Sequence, residues 1–528
     1  MDEQEPSQRA ARVGRVAAWL SRDVPNGVSI AFWIGAGVGV ALVAALGLQV
    51  VTIHPFHWGF LANAVLIVLA VELVLGLVCF VFTRRAETAV RCAVAIAMLV
   101  LWWAGFTSLT ESIGQEHIAG VVTAVIAGSV GYAIVRFGRE TGIILLFGVV
   151  VGGAVIMAVV QAQSPGMSDQ AFGSIVESVE PDRDSPDLLV IVLDGYARDD
   201  TLRDVFSTDN ITFRDELTDI GFVVNHRARS NYNRTYASLS SILALDTVIT
   251  ADGDTEQELS VMRSVAGGDG EFLRAFKRAG YSVTFSPAIW PGSYCGSLVD
   301  RCVEIGITQH NIYWLLRTSL LSPIASRLMA YPWSAASWTR ITNLADIHLD
   351  SRSEGPTVTW IHVVLPHPPV TRGSGCELHR EQWRQVLGLT TGGRDDQMRL
   401  GAFAEQTACI DSVVIDQIRA VLDADPDTAI LVFSDHGPDG QLQTLTSLEE
   451  HTPEQIHEKL AVLMAFRGPD RCNDVVRLRS TVAIMRGVTR CMLNASVDGS
   501  STASYLVPHE EEIAVGVRPL ILDERLLP

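Results

Sequence analysis

Four short stretches carry side chains that could do chemistry together. Asp194-Gly195-Tyr196 follows one apolar run, Pro366-His367-Pro368-Pro369 another, and Ser434-Asp435-His436-Gly437 a third. The fourth, Ser230-Asn231-Tyr232-Asn233-Arg234-Thr235, leads into Leu239, Ile242 and Leu243, which recur at helical spacing. Taken singly, such an Asp is often only a turn residue. Taken together, two carboxylates and two imidazoles meeting at one rim suit a divalent cation such as Mn, Zn or Mg. Thr235 has two readings at this stage. It is a hydroxyl placed where a helix dipole and free N–H groups favour an anion, or it is simply the helix N-cap.

The elements that must position these residues read as alternating strands and helices. Residues 187–193, DLLVIVL, are continuously apolar between polar flanks, the pattern of a central strand covered on both faces. Residues 281–285, 358–365, 429–433 and 461–466 repeat that pattern, and 221–224 is strand-like. Residues 272–278 and the series Ile410, Val414, Ile418, Val421 have helical spacing. The expectation is an α/β domain with a mostly parallel sheet. Ligands in such domains bind beyond the carboxyl ends of the strands, where Asp194, His367, Asp435 and His436 fall.

This domain is one part of the chain. Of 528 residues 48% are hydrophobic and only 19% charged, with a net charge of −19; mean hydropathy is +0.26. The low charge is concentrated in residues 28–162, which excludes a purely soluble, a disordered or a fibrous protein. The acidic balance argues against nucleic acid as partner. Five apolar stretches, 28–53, 59–82, 89–109, 118–137 and 142–161, are each near the ~20 residues that span a bilayer. Glu72 is the carboxylate within them. Arg9, Arg12, Arg15 and Arg22 precede the first, Arg84, Arg85 and Arg91 lie between the second and third, and Arg136 and Arg139 between the fourth and fifth. The other two loops have neither Lys nor Arg, so the expectation is a multi-pass protein of the cell membrane with its C-terminal domain extracytoplasmic. The divisions expected are a cytoplasmic segment 1–27, a five-helix transmembrane domain 28–162, a linker 163–186 and a catalytic domain 187–528.

The order of strand–Asp-Gly, Thr at a helix start, Pro-His-Pro and Ser-Asp-His-Gly resembles the alkaline phosphatase/sulfatase superfamily. In layout it is similar to the branch of lipoteichoic acid synthases and lipid A phosphoethanolamine transferases, five transmembrane helices followed by an extracytoplasmic sulfatase-like domain. That resemblance implies Asp194, Asp435 and His436 as metal ligands and Thr235 as both ligand and nucleophile. His367 would contact a phosphate or protonate the leaving group. The branch usually has Glu where this chain has Asp194, which leaves one ion or two open; His451 and His457 are candidates for a second site or plain surface residues. No cysteine lies in a Cys-x-Pro-x-Arg motif, so the resemblance points to phosphoryl chemistry and away from formylglycine sulfatases. It implies one divalent ion (Mn, Mg or Zn), a membrane lipid substrate, and an envelope glycan or lipid acceptor. The reaction implied is transfer of a phospho-headgroup. A phosphodiesterase, phosphatase or other sulfatase-like hydrolase at the same site and a non-catalytic envelope protein are the alternatives.

Cys295, Cys302, Cys376, Cys409, Cys472 and Cys491 form an even set in the outer domain. Nearest-neighbour disulfides are expected there, with buried free thiols as the alternative. Residues 313–333 are amphipathic and fit either a membrane-surface helix or an ordinary packed one. Lysine occurs only at 277 and 459.

Overall fold

The computed structural model describes scattered positions between 66 and 81, then 176–177, 185–288 apart from most of 251–266, 295–305, 334–368 apart from 353, 370–378, 396–438, 451–497, 503–507 and 519–522. Apart from those scattered positions of the second, the expected spans lie outside these residues, as do most of the linker and the amphipathic stretch 313–333. No helix of the described residues is long and apolar enough to cross a membrane. The described positions between 66 and 81 are helical, and Leu66, Leu73, Val74, Leu77, Val78, Phe80 and Val81 on them are 44–66% exposed. The chain divides into two compact units, Met1–Pro165 with His310–Ser326, and Gly166–Gln309 with Arg327–Pro528.

The second unit alternates strands and helices in chain order. They are β1 (Val176–Glu177), β2 (Leu188–Leu193), α1 (Asp199–Phe206), α2 (Ile211–Asp219), β3 (Val223–Val224), α3 (Thr235–Ala244), α4 (Glu271–Arg278), β4 (Ser282–Ser286) and β5 (Arg301–Cys302). Then come α5 (Leu344–Leu349), β6 (Thr357–Val363), α6 (Asp396–Ala424), β7 (Ala429–Phe433), α7 (Pro453–Leu460), β8 (Met464–Arg467), α8 (Thr481–Leu493), β9 (Ser496–Val497), β10 (Tyr505–Leu506) and β11 (Leu520–Ile521). Seven strands form one sheet in the order β3-β8-β7-β2-β6-β4-β5. β7, β2, β6, β4 and β5 run parallel, while β8 and β3 are antiparallel at one edge. The mostly parallel α/β domain read from the sequence is therefore what the chain forms.

All six residues of β2 are buried, because helices cover both faces of the sheet. Leu188, Val190 and Val192 point into one core with Ile242 and Leu243 of α3, Phe272 of α4 and Val488 of α8. Leu189, Ile191 and Leu193 point into the other, with Leu202, Leu217, Leu344 and Ile415. The period of two along a strand sends alternate residues to opposite faces, so a run buried on both sides must be apolar throughout.

Several strand ends differ from the sequence reading, two of them for a local reason. β6 stops at Val363, two residues before the expected end, where Leu365 precedes Pro366 and the chain must turn. β8 begins at Met464; Ala461 and Val462 instead make single bridges to Arg229 and Ala197. The cysteines pair as nearest neighbours, Cys295–Cys302, Cys376–Cys409 and Cys472–Cys491.

The loop after β2 is tied to α6 beneath it. The Tyr196 hydroxyl donates to Asp411 Oδ1 at 2.6 Å, and Asn210 Nδ2 donates to the same hydroxyl at 3.3 Å. Burial pushes the Asp411 carboxyl up to about 8, against the pull of the Tyr196 hydrogen bond. A raised carboxyl favours folding fully below its unfolded value near 3.8. That contribution falls as the unfolded chain ionises and is lost once pH passes about 8. Asp411→Asn keeps an acceptor for Tyr196 and removes the ionisation. Its melting temperature should exceed the parent's by roughly 2–5 °C at alkaline pH and show no such gain in acid; equal differences at both would contradict this.

Candidate metal centre

β7, β2 and β6 are adjacent, so their carboxyl ends deliver side chains to one place. Asp194 is the first residue beyond β2, Asp435 the second beyond β7, and His362 the last but one of β6. The alternation that turns Val190 and Val192 toward α3 continues to Asp194, and that of Val358 and Trp360 continues to His362. α3 lies on this face and begins with Thr235.

Asp194 and Asp435 are wholly buried. Asp194, His362 and Asp435 offer ligand atoms all within 4.8 Å of one another. His362 Nε2 is 3.3 Å from Asp194 Oδ2. His436 Nε2 lies 3.5 Å from Asp435 Oδ2 and 3.7 Å from Asp194 Oδ1. Thr235 Oγ1 is 2.9 Å from His436 Nε2. All four expected ligands therefore meet, and His362 joins them.

The loops are fixed by local bonds. The Asp194 N–H donates to the Val363 carbonyl and the His367 N–H to the Asp194 carbonyl, both at 3.0 Å. The Gly195 N–H donates to Asp435 Oδ1 at 3.2 Å, and the Tyr196 N–H to Ser434 Oγ at 2.8 Å. The Ser238 hydroxyl, one turn into α3, donates to the Asp435 carbonyl at 2.6 Å; Ser230 Oγ lies 2.5 Å from the same oxygen. This seats the start of α3 on the Asp435 loop. The N-cap of α3 is Arg234, with no side-chain cap. Thr235 is thus the first helical residue, and its hydroxyl reaches His436.

His436 Nδ1 is 2.7 Å from the Gly437 carbonyl. A carbonyl can only accept, so Nδ1 carries the hydrogen and Nε2 presents a lone pair to the centre. Burial lowers the His436 imidazolium to about 3, outweighing the opposing pull of Asp194, so the ring stays neutral. Burial also pushes the Asp435 carboxyl up, and the Asp194 charge adds to that. Asp194 resists burial because His367, the His362 hydrogen bond and His436 hold it well below the usual carboxylate range.

Two wholly buried carboxylates this close repel, and among the described residues the side chain of Asp435 has only the Gly195 N–H and the Thr235 hydroxyl to offset its charge by hydrogen bonding. The neutral His436 imidazole and the Thr235 hydroxyl complete the set, with His362 beside them. A divalent cation fits these donors, since it neutralises both acids.

His367 is half-buried at the mouth, its ring centroid 6.4 Å from that of His436. Its Nδ1 is 2.7 Å from the Pro368 carbonyl. His457 does not join the centre. Its Nε2 is 2.9 Å from Asp200 Oδ2, and Asp200 is also gripped by Arg198 at 2.8 and 2.6 Å. His451 is outside the cluster as well. Lys459 is buried, and its carbonyl accepts from the Gly437 N–H at 2.7 Å. Burial and then Arg234 lower its ammonium to about 7, while Asp435 and Asp194 pull the other way.

His362, Ser238 and Lys459 were not singled out from the sequence. His362 had a usable signal: a lone imidazole at an inward position near the end of an otherwise apolar strand. Lys459 had one in being one of only two lysines.

No known protein family matches the chain in sequence, and no curated protein matches it. Among solved structures it is similar to the C-terminal periplasmic domain of EcEptC from Escherichia coli in complex with Zn, at 10% identity over 66% of this chain and 96% of that one, TM-score 0.41. It is also similar to the integral membrane protein lipooligosaccharide phosphoethanolamine transferase A (EptA) from Neisseria meningitidis, at 13% identity over 89% and 96%, TM-score 0.38. A third is the C-terminal periplasmic domain of phosphoethanolamine transferase EptC from Campylobacter jejuni, at 10% identity over 61% and 94%, TM-score 0.36. At such values likeness decides neither reaction nor substrate; those rest on the residues of the rim.

A Cβ on Gly437 would sit 1.9 Å from the Glu458 carbonyl oxygen, which is backbone and cannot swing aside. Gly437→Ala should therefore separate the Asp435-His436 turn from α7. It is expected to destabilise the domain by about 2–4 kcal/mol and to lower bound metal per protein. Parent-like stability and metal content would show that this close approach is dispensable.

Proposed function

We propose that the chain is a membrane-anchored, metal-dependent phosphotransferase. It moves a phospho-headgroup from a lipid to a cell-envelope acceptor through a phospho-threonine at Thr235. The observation that carries this reading is the Thr235 hydroxyl at the first residue of α3, 2.9 Å from the His436 Nε2 lone pair and beside two buried carboxylates. Asp194, Asp435, His436 and Thr235, with His362 as a further donor, would hold one divalent ion: Mn, Mg or Zn. Such an ion neutralises the acids and lowers the pKa of the hydroxyl.

The residues then divide the work. Thr235 Oγ1, its proton given up to solvent, forms a bond to phosphorus as the bond to the departing oxygen breaks in line. His367, at the mouth, gives that oxygen its proton. In the second half-reaction an acceptor hydroxyl returns a proton to His367 as its oxygen bonds to phosphorus, the Thr235 Oγ1–P bond breaks, and the acceptor leaves with the phospho-headgroup. Three strand ends and a helix start converging on buried acids argue against a non-catalytic role, because two wholly buried carboxylates held side by side cost stability.

The anchor is the five-span segment 28–162, with the 187–528 domain outside the cytoplasm, as the loop arginines require. The apolar side chains exposed along residues 66–81 support it: such a stripe is unfavourable in water and at home in lipid.

Thr235→Ala should abolish turnover of a headgroup-labelled phospholipid without unfolding the domain, and Thr235→Ser should retain part of it. Label trapped at residue 235 on quenching and then found on envelope glycan or lipid supports transfer. Label released only as a water-soluble phosphate ester makes the enzyme a hydrolase, and full activity in Thr235→Ala removes the nucleophile.

Chelation should stop turnover and Mn, Mg or Zn should restore it. His362→Asn should weaken metal binding by about 10–100-fold, read by competition with a chromogenic chelator; unchanged affinity would exclude His362 from the site.

A further inference from the structure

The loop that delivers Thr235 is mounted on the C-terminal part of the chain. The Tyr505 N–H donates to the Asn231 carbonyl at 2.8 Å, and the Ser504 hydroxyl to the Ser230 carbonyl at 3.2 Å. Tyr232 stacks on Tyr505 with centroids 5.3 Å apart and planes at 14°. Asn231 Nδ2 donates to the Ala503 carbonyl at 2.8 Å, while its Oδ1 accepts from the Val482 N–H at 3.0 Å.

Asn233, two residues before Thr235, makes the most particular of these contacts. Its Oδ1 accepts from the Val507 N–H at 2.7 Å and its Nδ2 donates to the Val507 carbonyl at 3.4 Å. One carboxamide thus satisfies both backbone groups of a residue, as a neighbouring strand would. Asn233 and Val507 are both buried, so water cannot take over either bond. The segment is itself anchored, with β10 paired to β11 and the Leu522 N–H donating to the Ser504 carbonyl at 2.9 Å. Asn233 is also a sequon asparagine, but its burial there leaves no room for a glycan.

We propose that Asn233 is a positioning residue for Thr235. Its pairing with Val507 sets where the loop ends and α3 begins, and so where the threonine hydroxyl stands against His436. This rests on the reading of Thr235 as nucleophile. A reacting atom displaced by about 1 Å loses on the order of 100-fold in rate, whereas substrate binding elsewhere is untouched.

The test uses the full chain loaded with Mn and bis(4-nitrophenyl) phosphate as probe. Asn233→Ala should lower kcat about 10–100-fold with KM within about threefold and metal per protein unchanged. Asn233→Asp, which still accepts from the Val507 N–H, should recover part of the loss. A kcat per metal-loaded protein equal to the parent's overturns the inference, as does a fall in melting temperature with no change in kcat. Should Asn233→Ala fail to fold, Asn233→Asp decides alone: parent-like kcat overturns the proposal and a lowered kcat at unchanged KM upholds it. Thr235→Ala in the same assay separates the two readings. Activity surviving there sinks the nucleophile assignment and this inference with it. Activity lost there but intact in Asn233→Ala sinks the positioning role only.

Discussion

Two carboxylates with no exposure to water face one small space, and much of the surrounding architecture answers that condition. Asp194 and Asp435 cannot both remain charged there without compensation, because burial and mutual repulsion act in the same direction. His367 and the His362 hydrogen bond hold the charge of Asp194. For Asp435 the described residues offer only a backbone N–H and the Thr235 hydroxyl. Such an arrangement stores an attraction for positive charge, as a cation site requires.

The sheet supplies the geometry that makes this placement repeatable. Parallel neighbours end at the same level, so residues just past β7, β2 and β6 arrive side by side. Each loop also bonds to the next: Gly195 to Asp435, Tyr196 to Ser434, His367 to Asp194. α3 is locked to the same unit through Ser238 and the Asp435 carbonyl. Asp194, Thr235, Asp435 and His436 are therefore not four independent placements but one connected piece, backed by an apolar core on either face of the strands.

What was legible in the sequence was what local pattern announces. Asp194, His367, Asp435 and His436 each follow an apolar run, and Thr235 precedes a helical stripe, so element type and chemistry could be read within a dozen residues. His362 sits inside such a run, where the apolar pattern that identified β6 hid it. The antiparallel edge formed by β8 and β3 was not legible, because strand direction depends on connections rather than on composition. Ala461 looked like the start of β8 and instead bridges to Arg229, a contact made by the loop before the nucleophile. Asn231 and Asn233 read as polar turn residues; their partners lie more than 240 positions away. Long-range side-chain-to-backbone bonds leave no periodic trace, so the scaffold of the site was harder to see than its chemistry.

The bond between Asn233 and Val507 has a consequence for the life of the chain before it is finished. A polypeptide is made from its N-terminus. Asp194, His362, Asp435 and His436 are all made well before residue 507, yet the rail under the loop before Thr235 arrives only with it. A half-made chain can thus fold its central strands and even gather its acids while Thr235 is still unregistered. On the proposed reading of Thr235, a chain cut short of residue 507 would carry the acids of the centre but not a registered hydroxyl.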